Sequence, residues 1–422
     1  MPVNFANKIV TDSLAAHWDS GTVKSYDPRE NLLLRSNELS ISPWSIAEYT
    51  YQNSSTGAPD GTLTGIRATN NSNNNNFNFN GQLISTTVGG IYTFSIHIKN
   101  IDATNIQIIN GINNHSYNSG VHWVASSNSM NVYFDNASAI VGYGQADAGN
   151  GWTRIWISTD MTKLATYYSQ TISTVSCAWY IGPPSNTSSN FNKSCFFWGA
   201  QHERSLGMSA YSATTTSQYT KSTTLIDLTG NGNNLTAQNF PVWSNSNGGY
   251  FRLPTLGYFS GTGNNTLPVK NSSYTLQAWV RYPTSSVING GGILSIGTHS
   301  STTGLYNSIR NLSVLGSFSN FWFGNNLDVS TNVANIVANQ WYLITAVYYP
   351  FSLRRLYVNN TLIATDSPTE NHDVPFNPAL EIGRSANNTF GAEIGPCMVY
   401  RTALSADKIN QNYNALRGRF NS

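Results

Sequence analysis

The chain has 422 residues, more than one hydrophobic core usually supports, so two domains are expected. Charged residues make up only 10% and aromatics reach 12%, a balance that argues against disorder and for a rigid β-rich protein of extracellular type. A net charge of +2 without clustered Lys and Arg gives no electrostatic basis for binding nucleic acid.

Three cysteines, Cys177, Cys195 and Cys397, cannot build a disulfide framework, and their odd number leaves at least one thiol free. Cys177 and Cys195 lie in apolar, strand-like runs and read as buried thiols. The opening MPVNFANKIVTDSL has neither a basic nor an apolar signal region, so no export signal is expected. No apolar run is long enough to span a bilayer, so no membrane insertion is expected.

In chain order, Lys8 to Pro28 starts with a short alternating apolar stretch and continues through Asp19, Gly21 and Tyr26. Asn70 to Asn76 is a low-complexity polar run. Ile91 to Lys99 alternates with period two: Ile91, Thr93, Ser95 and His97 share one face, and Tyr92, Phe94, Ile96 and Ile98 the other, which is the one expected to be buried. Asp227-Leu-Thr-Gly-Asn-Gly-Asn-Asn-Leu235 reads as a tight irregular loop between strands, because Gly and Asn accept positive φ. Tyr274 to Tyr282 and Trp341 to Tyr349 read as strands, with Leu276, Ala278 and Val280 on one face of the former. Leu353 to Thr365 reads as a hairpin in which Asn359-Asn360 supply the positive-φ turn positions. One helix is expected after Ser405 as N-cap, with Asp407 in its first turn and Ile409, Tyr413 and Leu416 on one stripe.

The 227–235 loop, followed by Gly248-Gly249-Tyr250-Phe251, closely resembles the opening signature of laminin-G-like domains of the concanavalin A-like superfamily, in the form common in bacteriophage virion proteins. Lys8 to Pro28 resembles the first strand of the same family, with Ser13 where the family has Gly. Trp279, the 353–365 hairpin and the ending from Leu404 to Phe420 also match its pattern. Between these pieces, Asn31-Leu-Leu, Pro43-Trp44, Ala58-Pro59-Asp60-Gly61, Gly89 to Lys99, Gly151 to Ile157 and Phe196 to Gln201 resemble carbohydrate-binding-module-like jelly rolls of phage fibre and decoration proteins.

The resemblance implies an all-β chain of two β-sandwich jelly rolls, one inserted in the other, with one short C-terminal helix. Residues 1–28 plus 223–422 would form the laminin-G-like sandwich and 29–222 the inserted jelly roll. It further implies a non-enzymatic virion structural protein on the exterior of a phage particle, as capsid decoration, fibre or tail appendage. Its partners would be other capsid or tail proteins, further copies of itself in a homo-oligomer, and host surface glycans. A dedicated receptor-binding lectin and a glycan depolymerase stay open as alternatives. A particle protein assembled in the cell and released by lysis needs no export signal.

Glucanases of this superfamily place two carboxylates about 5 to 5.5 Å apart for retention, from a Glu-x-Asp-x-x-Glu strand that is absent here. Glu381 and Glu393 are isolated, and Asp366, Glu370 and Asp373 have no regular spacing. No Gly-x-Ser-x-Gly elbow, Walker loop or Gly-x-Gly-x-x-Gly motif occurs, and the seven histidines are scattered. No catalytic residue is therefore assigned. Laminin-G-like domains sometimes hold Ca²⁺; here Asp19, Asp227 and Asn231 are the candidate ligands, although the loop asparagines also have a sufficient structural role as turn formers. For carbohydrate, Trp44, Trp243 and Trp322 stand beside Pro or Asn/Ser/Gly-rich segments and are the candidates for exposed stacking rings, with packing anchors as the alternative role.

Overall fold

The computed structural model describes residues 8–44, 49–71, 80–86, 89–113, 117–135, 138–182, 191–239, 241–297, 305–323, 325–370 and 372–420. Residues Met1 to Asn7, most of the Asn-rich run, His115 and His299 lie outside them. The chain divides into two compact units, Met1–Asp27 with Ser222–Ser422, and Pro28–Lys221. Both are built from antiparallel sheets, as an all-β jelly-roll sandwich requires. Among the described residues no helix is long and apolar enough to cross a membrane.

In the first unit, one sheet runs through Val242–Ser244, Tyr250–Arg252, Glu393–Tyr400, Tyr274–Arg281, Trp341–Tyr349, Leu353–Val358 and Thr361–Asp366. Leu14–Trp18 also pairs with Glu393–Tyr400, with Leu14 opposite Tyr400 and Trp18 opposite Cys397. The facing sheet runs through Thr224–Leu225, Leu235–Gln238, Tyr258–Thr262, Ala379–Ile382, Gly292–Gly297, Tyr306–Asn311, Phe318–Phe321 and Leu327–Val329. Leu276, Ala278, Val280, Ile344 and Ala346 meet Phe259, Ile296, Ile309, Phe318 and Leu380 in the core between them.

The other face of the first sheet is covered by the helix Ala406–Phe420. The Ser405 hydroxyl accepts from the Lys408 N–H at 3.4 Å, Asp407 sits in the first turn, and Ile409 is buried. Trp279 stacks on Tyr413 and on Phe420, with ring centroids 5.8 and 4.8 Å apart. A second helix, Met161–Tyr167, adds to the one expected. It is too short to show a helical repeat in sequence and is nucleated by Asp160, whose carboxylate accepts from the Thr162 and Lys163 N–H groups. In the 353–366 hairpin only Asn359 takes a positive φ, +57°, where both Asn359 and Asn360 were expected to.

In the second unit, Tyr49–Thr56, Gly65–Asn70, Ser194–Glu203, Ile91–Asn100, Trp152–Asp160 and Ile140–Gly149 form one sheet. Asn80–Ser85, Thr174–Ile181, Asn105–Ile112, Tyr117–Val124 and Ser129–Asp135 form the other. Tyr92, Phe94, Ile96 and Ile98 point into the core with Ile106, Val175, Trp179 and Phe197. The opposite face of Ile91–Asn100 is buried as well, which the alternation alone does not show. The return after Glu203 lies over it: Thr93 donates to the Ser205 carbonyl, Gly207 N–H donates back to Thr93 Oγ1, and Tyr211 packs on His97. All three cysteines are free and buried, and burial pushes their thiols up.

Candidate functional site

The three tryptophans expected as stacking rings are all buried. Trp322 is 0% exposed, donates its indole N–H to Tyr274 OH at 3.0 Å, and lies under the Arg354 guanidinium at 4.3 Å. Trp243 donates to the Ser20 carbonyl and, in the other unit, Trp44 donates to the Arg35 carbonyl, both at 3.1 Å. The expected exposure is thus corrected: groups from other segments, Ser20, Tyr274 and Arg35, take up the indole N–H, as a buried tryptophan requires.

The candidate calcium ligands are engaged otherwise. Asp227 Oδ1 accepts from the His17 N–H and from the N–H and hydroxyl of Thr229, and Oδ2 accepts from the Asn233 N–H. Asn231 and Asn233 both donate side-chain amides to the Ala15 carbonyl. Asp227 and Asn231 therefore do converge, on the backbone of Leu14–Trp18, and the loop stitches that strand to the sandwich. Asp19 does not join them; both its oxygens accept from the Arg419 guanidinium at 2.7 Å. A calcium ion wants six or more inward-facing oxygens, whereas these carboxylates face N–H donors and a guanidinium, so the set does not fit the ion. Among the described residues no cluster of three His, Cys, Asp or Glu side chains could hold a metal.

Three further carboxylates of the first unit, one buried and two half-buried, accept from arginine. Glu393 is fully buried between Arg252, at 2.9 Å, and Arg281. Glu381 accepts from Arg384, and Asp366 from Arg354. In the second unit burial opposes ionisation of Glu30, but Lys221 and Arg204 hold it below the ordinary carboxylate range. Glu203 differs: burial pushes it up despite Arg154, Oε1 accepts from Gln201 and Ser209, and Oε2 has no partner.

The richest half-open surface is the outer face of the first unit's second sheet. Strand alternation sends Phe259, Ile309, Phe318 and Leu380 into the core. The register therefore aligns Ser260, Glu381, Ser295, Ser308 and Phe321 across the opposite face. The short hairpin Arg384–Thr389 covers the middle of this row. Ser295 donates to the Arg384 carbonyl, the Ser308 and Ser385 hydroxyls share a hydrogen bond, and Tyr306 OH accepts from the Ala386 N–H.

On either flank a guanidinium lies on a ring. Arg384 sits 3.9 Å from the Tyr258 centroid and donates to its hydroxyl, and Arg310 sits 4.0 Å from Phe321. Arg310 donates Nε–H to the Gly290 carbonyl; a Cβ at Gly290, whose φ is +71°, would come within 2.4 Å of its terminal nitrogen, so only glycine leaves room for the guanidinium. The terminal N–H groups of Arg310 make no hydrogen bond to the described residues. Phe323 packs beside Phe321 at 4.8 Å and holds φ +55°, an uncommon conformation for a bulky residue. The face thus sets half-buried rings beside the guanidinium of Arg310, which is 8% exposed and whose terminal N–H groups are not taken up by the described residues, the chemistry that holds a hydroxyl-rich ligand by its C–H face and its oxygens. Its one signal in sequence is the alternation Tyr306-Asn307-Ser308-Ile309-Arg310, which places Tyr, Ser and Arg opposite Ile309.

The profile of the concanavalin A-like lectin/glucanases superfamily, in its laminin-G form, matches residues 245–410. These residues form a domain of that lectin-like type. No curated protein matches the chain. Among solved structures, the binding domain of Paraclostridial Mosquitocidal Protein 1 is similar at 20% identity and TM-score 0.37, over 45% of this chain and 49% of that one. The binding domain of Botulinum Neurotoxin DC in complex with SialylT shares 18% identity at TM-score 0.37, over 46% and 48%. Domain 4 of AbnA, a GH43 extracellular arabinanase from Geobacillus stearothermophilus, in complex with arabinotriose, shares 14% at TM-score 0.36, over 44% and 91%. The chain spans about half the length of the two toxin domains; at these scores none of the three bears on its function.

Proposed function

We propose that the chain is a non-enzymatic structural protein on the exterior of a bacteriophage particle, a capsid decoration, fibre or tail appendage, whose lectin-like domain contacts host surface glycans. The phage assignment is supported by the motif resemblance of the 227–235 loop, the 353–365 hairpin and the closing helix. Glycan contact is carried by the outer sheet face, where Arg310, Phe321 and Phe323 join ring faces to free donors. The non-enzymatic reading is supported by the carboxylates Glu393, Glu381 and Asp366, whose oxygens are each engaged by arginine in place of a substrate. Its partners on the particle are capsid or tail proteins and further copies of itself.

Two measurements test this. Imaging of purified particles with labelled protein should place it on the virion exterior. A glycan array paired with a reducing-end assay should show binding without release; hydrolysis of any host polysaccharide would make it a depolymerase instead. The same face favours a second reading, a dedicated receptor-binding lectin. In that case a Phe321→Ala phage should assemble normally and fail to adsorb, whereas a structural protein with incidental glycan contact should adsorb at close to the normal rate.

A further inference from the structure

We infer that Trp156 is a stacking platform for one pyranose ring of a glycan, a second ligand position in the Pro28–Lys221 unit. All eleven tryptophans are among the described residues, and ten are buried; Trp156 is the one that is not. Its indole N–H makes no hydrogen bond to the described residues, and no other ring or cation packs on it. Seven of the ten buried indoles donate theirs, as Trp18 does to the Asn233 carbonyl, Trp152 to the Gly57 carbonyl and Trp198 to Thr64.

The geometry beneath the ring explains its pose. Trp156 pairs with Gly144 on the neighbouring edge strand Ile140–Gly149, and its side chain reaches across that strand. A Cβ on Gly142 would meet the indole Cζ3 at 3.1 Å, and one on Gly144 would meet Nε1 at 3.1 Å. Atoms of both rings of the indole therefore lie against two glycines two residues apart, so the side chain runs along the bare backbone. Its remaining surface faces away from the strand. Neighbours on the same face are small or already engaged: Arg154 donates to Ser95 and to the Ser209 carbonyl, and Ser158 hydrogen-bonds Thr93.

These features select the ligand. One half-buried ring without flanking large apolar side chains is too small for a protein hot spot, which needs a packed cluster. It matches the C–H face of a single sugar ring, with the edge N–H left to donate to a hydroxyl.

This inference rests on the glycan-contact reading but on a different unit, and the test keeps the two apart. In the full chain, acrylamide should quench a tryptophan fraction that disappears in Trp156→Phe. Maltohexaose, cellohexaose and mannohexaose serve as probes; at least one should protect that fraction. Trp156→Ala should weaken its binding by about tenfold, and Gly142→Ala/Gly144→Ala, which keeps the indole but lifts it off the strand, by severalfold, while Phe321→Ala leaves it unchanged. Absence of a quenchable Trp156 fraction overturns the inference, as does failure of all three probes to protect it, or protection arising only from neighbouring proteins in the assembled particle. If glycan-array binding sensitive to Phe321→Ala persists in those cases, the proposed function stands without this site; if it too is missing, the proposed function falls.

Discussion

The two units cover their outer sheet faces to different extents. In the first, the Arg384–Thr389 hairpin covers only the middle of the face and leaves Tyr258 with Arg384 on one flank and Phe321 with Arg310 on the other. In the second, the return after Glu203 runs over Thr93, Ser95 and His97 and leaves Trp156 toward the edge strand. A covered polar face must satisfy its groups internally, so the second unit holds Arg154 on Ser95 and Ser209, while burial pushes Glu203 up and His97 down. A half-covered face can leave N–H donors and ring faces unspent. Availability for ligands is decided by the cover, not by the composition of the strand beneath it.

The largest test of this contrast is at the buried carboxylates. Glu393→Ala should strip two arginines of their shared partner and cost about 3–5 kcal/mol in urea unfolding. Glu203→Gln should cost within about 1 kcal/mol, because one oxygen keeps its donors and the other had none. Equal costs at the two sites would mean that both carboxylates are ion-paired.

Next in size is acid sensitivity, in which each unit has its own reporter. Burial pushes His97 in the second unit and His372 in the first down from 6.5 to about 3. The unfolded chain therefore binds these protons first. Stability is complete above about pH 6.5 and falls by roughly 1.4 kcal/mol per pH unit per histidine as pH drops toward 3. His97→Gln should remove one share of that slope in unfolding curves taken between pH 7 and 5; an unchanged slope would show that His97 is already protonated in the fold.

A smaller effect is expected at the half-open face. Arg310→Lys should lower affinity for an array-positive glycan about fivefold, since an ammonium cannot stack on Phe321 while presenting planar donors. The same substitution should leave the binding that depends on Trp156 untouched. The smallest is calcium: millimolar CaCl₂ or EGTA should move the thermal midpoint by less than about 1 °C, and a larger rise would reinstate Asp19, Asp227 and Asn231 as ligands.

Much of the fold was legible because strand alternation and turn chemistry are local. Ile91–Asn100 showed its core face through Tyr92, Phe94, Ile96 and Ile98, and the helix after Ser405 showed its stripe through Ile409 and Tyr413. The site was much less legible. Trp44, Trp243 and Trp322 stand among polar neighbours in the chain yet are capped by carbonyls or hydroxyls brought in from elsewhere, whereas Trp156, inside an apolar strand, is the ring left open.

By itself the sequence determined where strands alternate, where Asn and Gly turn the chain, and that its composition builds sandwiches, since each of these depends on residues a few positions apart. Tertiary structure alone decided which polar faces are covered, which carboxylates meet arginine, and which tryptophan lies on bare glycine backbone. Those outcomes depend on segments far apart in the chain, as when Arg419 reaches Asp19 or Arg281 meets Glu393.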